Sequence, residues 1–203
     1  MSARRGPDHR RLFEVASGQA GHFTAAQAAA CGFSRALLAH HARGGRFERL
    51  GKGLYRIAQY PSSRREEVVA AWLAAGAEEA VVSHESALDL LELCDVVPRR
   101  IHLTVPRSRR YRTAPAGVTL HTTSRPFARD DLLVREGVRI TSPVRSIVDS
   151  AASGTSPDQI LRSVREALDR RLATRSRLLA AARAKGGRVE RLLRRALAEA
   201  PGP

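Results

Sequence analysis

Residues 32–57 read GFSRALLAHHARGGRFERLGKGLYRI. Ser34 stands before a run with helical spacing, and serine there can accept a hydrogen bond from a free N–H of the first turn. Gly44-Gly45 closes the run, as glycine commonly ends helices. Leu38 and Ala42, four apart, are expected on the inner face, which leaves Arg35, Leu37, His40 and His41 on the outer one. Beyond the glycines, residues 46–50 and 54–57 alternate as strands do, with Phe47 and Tyr55 as the expected core anchors. Gly51-Lys52-Gly53 joins the two strands, the glycines allowing a tight reversal with a lysine at its tip.

The preceding residues extend the pattern. Residues 8–19 read as a helix with Leu12, Val15 and Ala16 along one face, ended by Gly21. Thr24-Ala-Ala-Gln27 fits a capping box that opens a short alanine-rich helix. Cys31-Gly32-Phe33 makes the turn into the third helix. Helix, helix, tight turn, helix, hairpin is the order of a winged helix-turn-helix, whose third helix enters the major groove of DNA. The expected DNA-binding residues are therefore Ser34, Arg35, Leu37, His40, His41, Arg49 and Lys52. Arg35 suits guanine or phosphate, and the two histidines can donate to bases or phosphates. Ser34 at a helix N-terminus suits a phosphate, Arg49 the flanking phosphates, and Lys52 the minor groove or backbone.

Charge supports that reading. The chain carries 35 Lys and Arg against 20 Asp and Glu, a net of +15. Residues 1–60 hold 10 basic against 3 acidic side chains, residues 61–155 hold 13 against 12, and residues 156–203 hold 12 against 5. Two strongly basic ends flank a nearly neutral middle, and phosphate neutralisation with counterion release makes nucleic acid the first partner to consider. A generally basic proteome or an anionic membrane surface is the blander alternative; separately, the apolar runs are too short to span a bilayer. The N-terminus lacks the apolar core of a signal peptide. Cys31 and Cys94 give no disulfide framework. A cytoplasmic protein with reduced thiols is expected.

Three segments are expected: a winged helix-turn-helix DNA-binding domain over 1–60, a small α+β domain over 61–155, and a basic helical extension over 156–203. The fold class is α+β throughout. Pro61-Ser62-Ser63 marks the first boundary, and Ser63-Arg-Arg-Glu66 reads as a second capping box for a helix through Trp72. Short strands follow at 80–82, 100–105, 118–122, 132–136 and 138–141, with a helix from His84 capped by Ser83. Ser142-Pro143 opens another helix, proline suiting its first position. Ser156-Pro-Asp-Gln159 reads as a third capping box. Ile160, Val164, Leu178, Val189, Leu193 and Leu197 lie on apolar stripes of the last three helices.

The middle segment offers a polar cluster. Arg100, His102 and Thr104 share one face of their strand, and Thr119, His121 and Thr123 one face of theirs. If the strands pair, His102 and His121 meet beside an arginine-rich loop carrying Arg107, Arg109, Arg110 and Arg112. A solvated sheet face explains this, and so does a docking surface for a partner or a phosphate-rich ligand. No catalytic set is expected: Asp130-Asp131 and Glu78-Glu79 lack the companions of a metal nuclease. No phosphate-binding glycine loop or ordinary kinase motif appears. Ser83-His84-Glu85 holds triad residue types without triad spacing. Cys31, His40 and His41 match no metal pattern, so no metal ligand is assigned.

The segments GHFTAAQAAACGFSRALLAHHARGGRFERLGKGLYRI, VVSHESALDLLEL, IHLTVPRSRR and GVRITSPVRSIVDSA together resemble the AbiEi-type antitoxins of type IV toxin–antitoxin systems, over roughly residues 10–152. The resemblance implies a nucleotidyltransferase-type toxin as functional partner, without a stable complex. It implies a winged helix that binds inverted repeats in its own promoter and represses the operon, and a following domain that supplies antitoxicity. No cofactor is implied, except ATP under the alternative in which the antitoxin modifies its toxin as an atypical serine protein kinase. A transcriptional regulator with a ligand-sensing second domain is the remaining alternative.

Overall fold

The structure is a computed structural model that describes residues 6–95, 97–110, 113–135 and 137–200. It is an α+β protein, and its chain divides by contact into residues 1–78 with 136–138, and residues 79–135 with 139–203. The first unit thus runs past Pro61, because helix α4 (Glu66–Ala75) packs on strands of the winged helix. The last 48 residues are not set apart either, since their helices pack on a helix of the second unit.

The first unit begins with α1 (His9–Ser17), β1 (His22–Thr24), α2 (Ala25–Ala30) and α3 (Arg35–Arg43). Then come β2 (Phe47–Gly51) and β3 (Leu54–Ile57). The three strands form an antiparallel sheet in the order β1-β3-β2. β1 had no signal in the sequence beyond alternation over three residues. Thr24, its last residue, is also the N-cap of α2, and the Thr24–Gln27 capping box forms with both bonds. Ser34 Oγ accepts from Leu37 N–H and caps α3.

The core of this unit collects Leu12, Ala16, Phe23, Ala28, Cys31, Phe33, Leu38 and Phe47. The Phe23 ring meets Phe47 edge-on at 5.0 Å and stacks on Tyr55 at 5.7 Å. Burying that ring is worth about 3–5 kcal/mol by the usual Phe→Ala scale. Gly21 has φ +81°, and a Cβ there would lie 2.5 Å from the Tyr60 ring, so only glycine fits.

The other two expected capping boxes do not form. Arg65, not Ser63, is the N-cap of α4, and its side chain does not cap the helix. Glu66 instead accepts from the buried Arg56, whose second partners are Glu48 and the Tyr60 carbonyl. Ser156 makes no side-chain cap for its helix.

The second unit is built on a five-stranded mixed sheet. Its strands are β4 (Val81–Val82), β5 (Ile101–Pro106), β6 (Val118–Thr123), β7 (Leu132–Arg135) and β8 (Val138–Thr141), in the order β6-β5-β4-β8-β7. β4 runs antiparallel to β5 and parallel to β8, and β5 runs parallel to β6. Helix α5 (His84–Leu90) packs on β5 and on α6 (Pro143–Ser153). α7 (Pro157–Asp169), α8 (Arg175–Lys185) and α9 (Gly187–Glu199) all contact α6. Their buried side chains include Ile160, Val164, Leu178, Val189, Leu193 and Leu197.

Candidate functional site

Two regions gather polar side chains, one in each unit. On the first, α3 presents Arg35, His40 and Arg43 to solvent, and the β2–β3 hairpin presents Arg49 and Lys52. Lys52 lies in the turn between the strands. A groove of about 530 Å³ is lined by Ala39, Ala42 and Arg43 of α3 together with Arg49 and Tyr55 of the hairpin. Ser34 is exposed at the start of α3, where free N–H groups and the positive end of the helix dipole favour an anion.

Two of the expected contact residues point elsewhere. His41 is 8% exposed. It lies three residues after the buried Leu38, and its ring packs edge-on against Phe47 at 5.1 Å and against His9 at 5.5 Å. Its place in the core replaces the outer position expected for it. Burial, then the positive charge of Arg46, holds its pKa below the usual histidine value. Leu37 is half-buried and packs against the same core.

In the second unit, β5 and β6 pair so that His102 lies opposite Thr119 and Thr104 opposite His121. The two histidines therefore share a face, and His102 Nδ1 lies 3.0 Å from His121 Nε2. A third histidine joins them. The His84 ring stacks on His121 with centroids 3.6 Å apart and planes 15° apart. His84 begins α5 with φ +53°, a left-handed backbone uncommon outside glycine, though histidine, asparagine and aspartate adopt it more often than other residues. Ser83 Oγ is not a helix cap: it bonds Thr104 Oγ1 at 2.7 Å and His84 Nδ1 at 2.9 Å.

Burial lowers the pKa of all three, to about 3 for His84, where the neighbouring His121 adds to the effect. Each imidazole is neutral at physiological pH.

His84 and His121 form one wall of a cavity of about 690 Å³. The lining also includes Asp149 of α6, whose carboxylate accepts from Arg145 Nε at 2.5 Å and from Lys185 Nζ at 2.9 Å. Burial pushes the Asp149 pKa up, but these two bonds outweigh it and hold the group below the usual carboxylate value. Arg145 also reaches Asp131 at 3.3 Å and lies over the Phe127 ring at 5.2 Å. Arg125, Arg177, the carboxylates of Asp130 and Asp131, and the hydroxyls of Thr122, Thr123, Ser124 and Ser142 also line it.

The arginine loop contributes none of this lining. Arg107, Arg109 and Arg110 are exposed around a 3-10 turn, with Arg109 paired to Glu79. Arg112 lies outside the described residues. His84, Asp149, Arg145 and Lys185 had no place in the sequence reading of the site. Asp149 left one signal, a carboxylate among Ile147, Val148 and Ala151 and four residues from an arginine. Such a residue is rarely buried unless paired.

Residues 10–58 match a family described as "Transcriptional regulator, AbiEi antitoxin". Over those residues the chain is similar to AbiEi-type domains. The match spans α1 to the end of the hairpin, so it holds α3 and the wing, while the cavity of the second unit lies beyond it. The family is one of antitoxins and transcriptional regulators. Over 98% of this chain and 84% of the other, the fold is similar to the crystal structure of the RV2827C protein from Mycobacterium tuberculosis. The TM-score is 0.56 and the identity 18%, a likeness of fold alone. A comparison with curated proteins found no match. Among the described residues, no helix is long and apolar enough to cross a membrane.

Proposed function

We propose that the chain is a cytoplasmic type IV antitoxin that represses its own operon and neutralises a nucleotidyltransferase-type toxin. The observation that carries the DNA half is the exposed set Arg35, His40, Arg43, Arg49 and Lys52, spread over α3 and the wing of an AbiEi-type domain. α3 lies in the major groove with Arg35 and His40 on base edges or phosphates. Lys52 and Arg49 grip the flanking backbone. Inverted repeats in the promoter supply two such half-sites. The antitoxic property belongs to the second unit, with the cavity between His84 and Asp149 and the exposed Arg107, Arg109 and Arg110 as its candidate surfaces.

The test uses the full chain. Its own promoter is titrated with wild type and with the Arg35→Ala/His40→Ala double variant, and both are co-expressed with the neighbouring toxin. Each base contact is worth roughly 1–3 kcal/mol, so operator affinity drops by at least about tenfold for the double variant. Its melting temperature and its protection of growth stay unchanged. Equal operator affinity in the two proteins defeats the assignment of α3.

A second reading draws on Arg125, Arg145, Arg177 and Lys185, cations suited to phosphate oxygens that line the cavity, the last three paired there with Asp130, Asp131 or Asp149. In it, the second unit transfers a phosphoryl group from ATP to the toxin. Toxin mass after incubation with antitoxin and ATP decides: an unchanged mass under conditions that restore growth removes this reading.

A further inference from the structure

The three histidines of the second unit are an unusual use of buried surface. Among seven histidines in the chain, His84, His102 and His121 come from three separate elements and meet at one place. One potential ligand nitrogen of each lies within 4.8 Å of the others. The sheet brings them there: β4 leads into His84, β5 carries His102 beside it, and the parallel pairing of β6 adds His121. The 3.0 Å contact between His102 Nδ1 and His121 Nε2 and the His84–Ser83 bond offset only part of the hydration that the ring nitrogens lose on burial.

We propose that His84, His102 and His121 bind one divalent transition-metal ion of the zinc class, with an open coordination position facing the cavity. An all-imidazole donor set suits zinc, cobalt, nickel or copper and disfavours magnesium or calcium, which take oxygen ligands. Three protein ligands and an open fourth position is the arrangement of zinc sites that also receive water or a substrate group.

Three further features fit a metal. The histidines are held neutral by burial, which leaves a lone pair on each ring without the need to displace a proton. Ser83 Oγ can accept from His84 Nδ1–H at 2.9 Å while donating to Thr104, which presents the other nitrogen as an acceptor. Orientation of a ligating imidazole by a hydrogen bond to its second nitrogen is the usual companion of metal ligation. The left-handed backbone of His84 is the kind of strain that persists where surrounding structure fixes a functional side chain.

Binding requires an adjustment. Zinc sits about 2.0–2.1 Å from each nitrogen, so tetrahedral ligand atoms stand roughly 3.3 Å apart. The group contracts, and one of the stacked rings turns about its Cβ–Cγ bond, because two parallel planes cannot both contain the ion. His121 is the ring with room to turn, being half-buried on the wall of the cavity. Asp149 is not a ligand in this arrangement, since Arg145 and Lys185 hold both of its oxygens. The site is independent of the antitoxin reading.

The untagged full chain, stripped of metal by a chelator, is titrated with Co²⁺, whose visible absorption reports its coordination. One equivalent binds with a visible band that Zn²⁺ displaces. His102→Ala and His121→Ala weaken binding by roughly tenfold or more, while His40→Ala, on the exposed face of α3, binds as wild type does. Far-UV circular dichroism confirms that each variant folds, and His121→Gln replaces any that does not. No band with wild type, or a band kept at full strength by both folded histidine variants, overturns the proposal.

Discussion

On α3 and the hairpin, Arg35, His40, Arg43, Arg49 and Lys52 are all exposed above a core that is mostly apolar and aromatic. In the second unit the order is inverted. The Asp149 side chain is 6% exposed, Arg145 and Lys185 close on it, and His84 and His121 line the same cavity. Exposed cations are kept in water and add little to stability, so they are free to meet phosphate. A buried carboxylate must be matched within the fold. Substitutions in the first region should therefore change binding without changing stability, and substitutions in the second should change both.

The largest expected effect tests that contrast directly. Asp149→Ala leaves two cations without their shared partner. Breaking a fully buried pair costs about 3–5 kcal/mol. Here the Lys185 side chain is 41% exposed and Arg145 25%, so both recover some hydration. We expect a loss of about 2–3 kcal/mol, in the range for hydrogen bonds to charged groups. Urea unfolding followed by far-UV circular dichroism measures it. Trp72, the single tryptophan, is buried in α4 and reports the first unit alone. If its fluorescence transition shifts as far as the dichroism transition, the two units unfold together and the contrast in stability is lost.

The contrast also explains what could be read in advance. The winged helix is specified locally: Thr24 and Gln27, Ser34, the paired glycines and the tip at Lys52 each act within a few residues. His41 was misplaced because its polarity argued outward while its spacing, three from Leu38, argued inward, and an imidazole that packs on Phe47 and His9 is apolar enough to follow the spacing. In the second unit, alternation along β5 and β6 was enough to put His102 beside His121. The remaining partners come from long-range pairing. Nothing near Lys185 in the sequence points to Asp149, and nothing near His84 points to β6. The false cap at Ser63 has the same origin, since a local motif yields when Glu66 has a buried arginine to meet.

A smaller effect sharpens the comparison through pH. The His84 pKa is about 3 in the fold, against 6.5 for the free side chain, chiefly through burial. The unfolded chain thus binds a proton that the native chain refuses. The stability is fully present above about pH 6.5 and is lost as pH falls from there toward 3, by up to about 1.4 kcal/mol per pH unit for this group. His121 and His102 on the sheet and Lys185 on α8 oppose its protonation, and Asp149 on α6 favours it. Asp149 adds its own loss only below its usual carboxylate pKa. His84→Asn tolerates the left-handed backbone and cannot titrate. Its urea-unfolding free energy between pH 6.5 and 5 should fall less steeply than that of wild type. Equal slopes would mean that His84 is protonated in the folded protein and that the second unit does not exclude charge there.

The smallest effect belongs to the tip of the wing. Lys52 is exposed and supports no element of the fold, so Lys52→Ala should leave unfolding free energy within about 0.5 kcal/mol of wild type. If it meets only phosphate, its removal weakens operator and unrelated DNA by the same factor. The slope of log affinity against log salt then flattens by about 1, the value of one released counterion. Anisotropy titrations at several salt concentrations separate the cases. A changed ratio of operator to unrelated DNA with an unchanged slope would make Lys52 a reader of base edges. In that case the hairpin as well as α3 would carry sequence information.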